Sequence, residues 1–236
     1  MGREAARGRR RGAALVAAGA LVAGSVLLAT SGDGAADDRY RGCDGADANY
    51  DAMYPDFPAD SAQQWLSYGD HVAVFHPRPG SERRARGVDA PRSAVLVVDE
   101  VLHSREGAKP LPDSFRAVLW EVPCDSRVQP GHTYLGLLVF DAVRGEPAAW
   151  RPVHGGGLLP YDGESIGTGE IEGRVGETPA EERSPFGLEK QMHGEHAGTL
   201  QSLLEVTEPY ALAARHPDLS PGERHQLVYR ARTGAR

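Results

Sequence analysis

Hydrophobic positions along the chain fall into one long uncharged block, a series of short β-branched runs, and two stretches with helical spacing. The block is AALVAAGALVAGSVLLAT, residues 13–30, and it follows the basic segment MGREAARGRRRG. As a helix, these 18 residues at about 1.5 Å each reach about 27 Å, which just covers a hydrocarbon core of about 30 Å. Residues 1–30 therefore predict a basic flank and a signal or transmembrane helix. The positive-inside bias keeps the flank cytoplasmic and sends the rest of the chain outward. Small residues at Ala29-Thr30-Ser31 and Gly34-Ala35-Ala36 offer places for cleavage, so a membrane anchor and a secreted product both fit.

Residues 31–60 are rich in Gly, Asp, Ala and Pro with little periodicity, and read as a flexible extracytoplasmic tether. The stretch from Ser61 either starts a short helix capped by that serine or ends the tether, with Trp65 and Leu66 as core anchors. Strands are then expected at 71–76, 93–103, 115–122, 132–140 and around Trp150, each bounded by turn residues. Both faces of AVLVV and YLGLLVF are apolar, which suits a small closed sheet with elements packed over it. The fold expected is mainly β within the α+β class: an OB-like small antiparallel β-barrel over 61–171, with a β-sandwich as the rival. Gly136 inside a strand suggests a bulge or a barrel bend.

Residues 172–198 form a long Glu, Gly and Pro excursion, expected as a surface loop with Val175, Phe186, Leu188 and Met192 as tie-down points. Over 199–236 the spacing changes to helical. Thr199 is placed to cap a helix with Leu200, Leu203, Leu204 and Thr207 on one face. The sequence SPGE at 220–223 is a capping box with Pro at the first helical position. A C-terminal helical pair packed on the barrel, hiding Leu203, Leu204, Leu227 and Val228, is the expectation.

Charge narrows the function classes. Of 26 Lys and Arg and 33 Asp and Glu, five Arg and one Glu lie in residues 1–12, leaving 21 basic against 32 acidic residues and a net charge near −11. That balance argues against nucleic acid as a partner. The local cluster Arg78, Arg83, Arg84, Arg86 and Arg92 is the exception, a basic loop able to meet anionic lipid or polymer or simply to stay solvated.

Several constellations invite chemistry. HGGG at 154–157 and GESIG at 163–167 resemble an oxyanion loop and a nucleophile elbow, and a triad can be written as Ser165, Asp218 and His225. The elbow needs a helix after the Ser, yet IGTGEIEGRVG has no helical period, and nine residues from His154 to Gly163 leave no room for the intervening βαβ segment. Tight turns are the plainer reading. His193, Glu195 and His196 in HGEH lack the helical H-E-x-x-H spacing and a third ligand. Asp99 with Glu100 would point to opposite strand faces unless a bulge intervenes, whereas Glu170 and Glu172 share a face. No catalytic, metal or cofactor residue is assigned, and a non-enzymatic protein is favoured over a serine or metal-dependent hydrolase.

The stretches SYGDHVAVF, VLVVDEVLHSREGAKPLPDSF, GHTYLGLLVF and LLPYDGESIGTGE resemble a group of membrane-anchored or secreted proteins of high-GC actinobacteria, over about residues 61–230. That likeness implies a location and no chemistry. The order of a strand, a VDEVL strand and a PGHTYLGLLVF strand is also similar to netrin-like OB domains, which implies a five-stranded barrel. The expectation is an extracytoplasmic envelope protein, held to the membrane by its N-terminal helix or secreted after cleavage, that binds an envelope polymer or a protein partner.

Cys43 and Cys124 both fall on the exported side, where an oxidising environment favours a disulfide over two buried thiols. Such a bond closes a loop of about 80 residues and stabilises the fold by about 4 kcal/mol. The unreduced, denatured chain is expected to resist thiol alkylation, and reduction is expected to lower its denaturation midpoint. Intact-mass analysis with and without reductant checks both cysteines at once.

Overall fold

Residues 57–84, 92–119, 126–142, 147–171, 174–177 and 187–234 are described in the computed structural model, all within the compact unit 35–236. The apolar block 13–30 lies outside them, as do Cys43, Cys124, Arg86 and Glu172. Among the described residues no helix is long and apolar enough to cross a membrane.

The architecture is an antiparallel half-barrel with helices over its outer face, an α+β arrangement. Helix α1 spans Ala62–Tyr68, with the Ser61 side chain accepting from the Gln64 amide. The strands are β1 His71–Pro77, β2 Arg83–Arg84, β3 Arg92–Ser104, β4 Ser114–Leu119, β5 Tyr134–Asp141, β6 Ala149–Pro152 and β7 Leu158–Pro160. β3 pairs with β1, β1 with β5, and β5 with both β6 and β7. β2 and β4 take opposite edges of the start of β3. A separate pair, β8 Thr168–Ile171 and β9 Arg174–Glu177, follows.

Strands β1 and β5 are apolar on both faces because both faces are covered. Phe75, Leu96, Ala117, Leu138 and Trp150 fill the concave side. Val72, Val74, Leu135 and Leu137 meet the helical layer on the other. Trp150 lies 6.3 Å from the Phe115 ring and 5.4 Å from that of Phe140, so one indole draws β4, β5 and β6 together where the sheet curls. At Gly136 there is no bulge, for the β1–β5 register runs unbroken. A Cβ there would sit 3.1 Å from both the Phe75 ring and the Gly157 carbonyl, so the glycine supplies space. The register shifts fall instead on β3, at Leu102 and Asp99.

The two ends of the β1–β5 pair are closed differently. At one end the His71 ring is held by Ser104 Oγ at 2.8 Å and the Lys109 carbonyl at 2.9 Å, and Lys109 Nζ lies 3.5 Å above the Phe140 ring. At the other, fully buried Val128 adopts φ 52°, a left-handed conformation unfavourable for a β-branched residue. The flanking amides hold it there. Arg127 N–H donates to both oxygens of buried Glu170 at 2.9 and 3.1 Å, and Gln129 N–H donates to Tyr134 Oη at 2.7 Å. Burial first, and Glu170 beside it, push the Tyr134 phenol far up, so it stays a donor to that carboxylate at 2.9 Å.

The helical layer comprises α2 Gly187–Met192, α3 Ala197–Val206, α4 Ala211–Ala214 and α5 Pro221–Thr233. Within the 172–198 excursion, Leu188 and Met192 of α2 are buried in the outer core. Phe57 and Ala59, assigned to the tether by composition, are buried there too, and Ala59 O accepts from Trp65 Nε1 at 2.8 Å. Thr199 does not cap α3. The helix begins earlier, at Ala197, whose amide donates to Tyr161 Oη at 3.0 Å, and Thr199 Oγ1 turns to Glu195 instead. The capping box of α5 is complete, with Ser220 N–H to Glu223 Oε2 at 2.8 Å and the reciprocal bond to Ser220 Oγ.

Arg224, 1% exposed, fastens α5 to the sheet. It donates to the carbonyls of Ser67, Tyr68, Gly69 and Leu219 and lies 3.6 Å from Asp70 Oδ1. Asp70, also buried, takes Arg105 Nη2 at 2.7 Å and the Phe140 amide at 2.9 Å. Burial lowers the Arg224 guanidinium to about 10, still charged at neutral pH. Arg224→Ala is expected to cost about 3–5 kcal/mol, because it strands buried carbonyls and half of a charge network. Equilibrium urea denaturation followed by circular dichroism measures the loss.

Candidate functional site

The esterase-like letters build turns. Gly155 at φ 68° and Gly156 at φ 90° carry the chain from β6 to β7 through backbone that only glycine adopts cheaply. Val153 N–H then donates to Leu137 O at 2.8 Å and Leu137 N–H to Gly157 O at 2.7 Å, so HGGG is the corner that lets two short strands share β5. Ser165 follows the 3-10 turn Asp162–Glu164 and is followed by the isolated strand pair, so no helix stands behind it. Asp218 is exposed, and the His225 ring packs edge-on to Tyr68 at 5.3 Å. Among the described residues no hydrogen bond joins these three side chains.

His132, just before β5, is oriented by an aspartate. His132 Nδ1 lies 2.6 Å from Asp162 Oδ2, and Asp162 Oδ1 accepts the Thr133 amide at 2.8 Å. No described nucleophile hydrogen-bonds to that ring. Two of the HGEH residues are bonded locally, while His193 Nδ1 is buried with no hydrogen-bond partner among the described residues. His196 Nδ1 meets the Glu164 carbonyl at 2.5 Å, Glu195 accepts from Thr199, and the Glu195 carbonyl accepts from Ile166 N–H at 2.9 Å. Among the described residues no group of three His, Cys, Asp or Glu is placed to hold a metal ion.

Of the acidic pairs, Asp99 with Glu100 and the single residue Glu170 fall within the described residues. The bulge at Asp99 leaves both Asp99 and Glu100 exposed, and Asp99 Oδ2 is 2.8 Å from His76 Nδ1. Glu170 is sealed inside the fold. Of the arginine cluster, Arg78, Arg83 and Arg84 are exposed, while Arg92 turns inward to Glu82 at 3.5 Å and to the Arg127 carbonyl.

A cleft of about 550 Å³ lies where the end of β3 meets α1, the end of α3, and α4. That volume falls in the range of small-ligand sites. Its apolar walls include Leu66, Leu204, Pro209, Ala213 and Pro217. Three bonds make the frame rigid: Tyr210 N–H to Ser67 Oγ at 2.8 Å, Gln63 Nε2 to Glu208 O at 3.1 Å, and Arg105 Nη1 to Pro217 O at 3.1 Å. Arg105, the only Lys or Arg among the lining residues, is committed to Asp70 and to backbone carbonyls. Glu106 and Glu205 line it with exposed carboxylates, and Gly107 at φ 73° turns the chain sharply enough to leave Glu106 there.

Half-buried His103 also lines this cleft, and among the described residues its ring has no hydrogen-bond partner. Its imidazole is thus a hydrogen-bonding group on the cleft wall that solvent or a ligand can satisfy. Nothing near it in sequence marks His103 for this place, since helices from the last third of the chain supply other walls of the cleft.

No protein-family model matches the chain, and no curated protein matches it.

Burial first, and the neighbouring His71 second, lower the His103 pKa from its ordinary value. The folded state thus disfavours imidazolium, so His103 contributes a stability that is full above the ordinary imidazole range and falls as pH drops below it toward the folded value. A histidine-resolved NMR titration is expected to place the His103 midpoint below the ordinary imidazole value, and His103→Gln is expected to flatten stability between about pH 5 and 7.

Proposed function

We propose that this protein is an extracytoplasmic binding module of the cell envelope, non-enzymatic, whose ligand enters the cleft beside His103. The observation that carries the reading is the cleft itself: about 550 Å³ with apolar walls in a hydrogen-bonded frame, and an imidazole on its wall with no hydrogen-bond partner among the described residues. The curled antiparallel sheet supports an OB-like barrel as the scaffold. The uncharged block after five arginines supports export and a membrane anchor, or secretion after cleavage. An envelope polymer or a protein partner fits as the donor of a small unit reaching into the cleft, and the acidic chain turns nucleic acid away.

The rival is an extracytoplasmic hydrolase built on Ser165 or on His193, Glu195 and His196. Against it stand the local hydrogen bonds that occupy Glu195 and His196 and the absence, among the described residues, of a bond between Ser165 and any histidine.

Two readouts on the full chain test the proposal. A fluorophosphonate probe is expected to leave Ser165 unlabelled, and labelling there replaces the binding reading with the hydrolase. Phenylethanol, a small neutral aromatic alcohol, is expected to shift the His103 ring signals saturably, and Ala214→Trp on the exposed cleft rim is expected to abolish the shift. Unmoved His103 signals at millimolar alcohol defeat the assignment of this cleft.

A further inference from the structure

The charge inside the cleft narrows what it accepts. Its one guanidinium, on Arg105, spends Nη2 on Asp70 at 2.7 Å and Nη1 on the carbonyls of Glu106 and Pro217, each at 3.1 Å. Both Nη groups facing an incoming anion are therefore already bonded, and Nε is buried. Glu106 and Glu205, by contrast, have no ion pair among the described residues, and both line the same space as Leu66, Leu204 and Pro209. Two uncompensated carboxylates beside an apolar wall repel a carboxylate or phosphate and attract an ammonium. His103, on the same wall as Glu106, adds a hydrogen-bonding group to the lining.

Resting on the binding reading above, we infer that the cleft selects a small amphiphilic ammonium: a primary amine joined to an apolar body, the body against Leu66, Leu204 and Pro209 and the cation between Glu106 and Glu205. Specificity of this kind works through rejection as much as attraction, since the isosteric acid places like charge against both glutamates. The apolar body supplies most of the affinity through burial, and the glutamates supply the choice among head groups.

Calorimetric titration of the full chain with phenethylammonium, phenylethanol and phenylpropionate tests the inference, since the three share one apolar body and differ in charge. Expected are the tightest binding for the ammonium, weaker binding for the alcohol, and at least tenfold weaker binding for the acid than for the ammonium. The double variant Glu106→Gln, Glu205→Gln, at exposed positions that leave the fold intact, is expected to weaken the ammonium about tenfold and to leave the alcohol unchanged. Equal binding of ammonium and acid, or an unaltered ammonium affinity in the double variant, overturns the inference while the cleft stands as a site. Failure of all three to bind overturns it together with the reading on which it rests.

Discussion

Asp70 holds the structure together at the point where its layers meet. The residue sits between α1 and β1, its carbonyl accepts the Arg105 amide, its own amide donates to Leu138 of β5, and its carboxylate gathers Arg105, Arg224 and the Phe140 amide. A carboxylate this buried is tolerable only because two guanidiniums and an amide replace its water. The consequence is geometrical as much as energetic. One anion binds the turn after β3, the central strand β5 and the last helix to a common origin, so the helices cannot slide over the sheet without uncovering a charge.

The cleft is a by-product of that fixed geometry. Arg105 reaches Asp70 with one nitrogen and the Pro217 carbonyl with another, so the same side chain that completes the charge network also sets the distance from the sheet to the end of α4. Holding Arg105 in this way leaves Glu106 and Glu205 as the exposed charges of the opening. Function and stability are therefore coupled here through one arginine, in contrast with the His132 and Asp162 pair, whose bonds serve a turn and its neighbouring amide.

At the far end of the half-barrel, stability is spent on strain. Val128 is held left-handed and fully buried while the amides on either side are bound to Glu170 and Tyr134. These contacts seal the concave core where the sheet does not close on itself, and Trp150 does the same along the gap between β4 and β6. An open sheet with plugged ends explains how a chain of this length buries both faces of β1 and β5 without completing the ring of strands.

Local physics was legible in the residues themselves. The Ser61 cap, the Ser220 and Glu223 box, the strands at 71, 93, 115 and 132, and the burial of Trp65 and Leu66 depend on neighbours within a few positions, so spacing and residue type suffice to find them. What depended on distant partners was not. Gly136 invited a bulge because the Phe75 ring that crowds it is 61 positions away, and Thr199 looked like a cap because Tyr161, which bonds the earlier start of the helix, lies far back in the chain. The charge network and the cleft belong wholly to the second kind. Asp70, Arg105, Glu205 and Arg224 carry no local signature, and only folding brings carboxylates and guanidiniums from four separate segments close enough for their charges to cancel or, at Glu106 and Glu205, to remain.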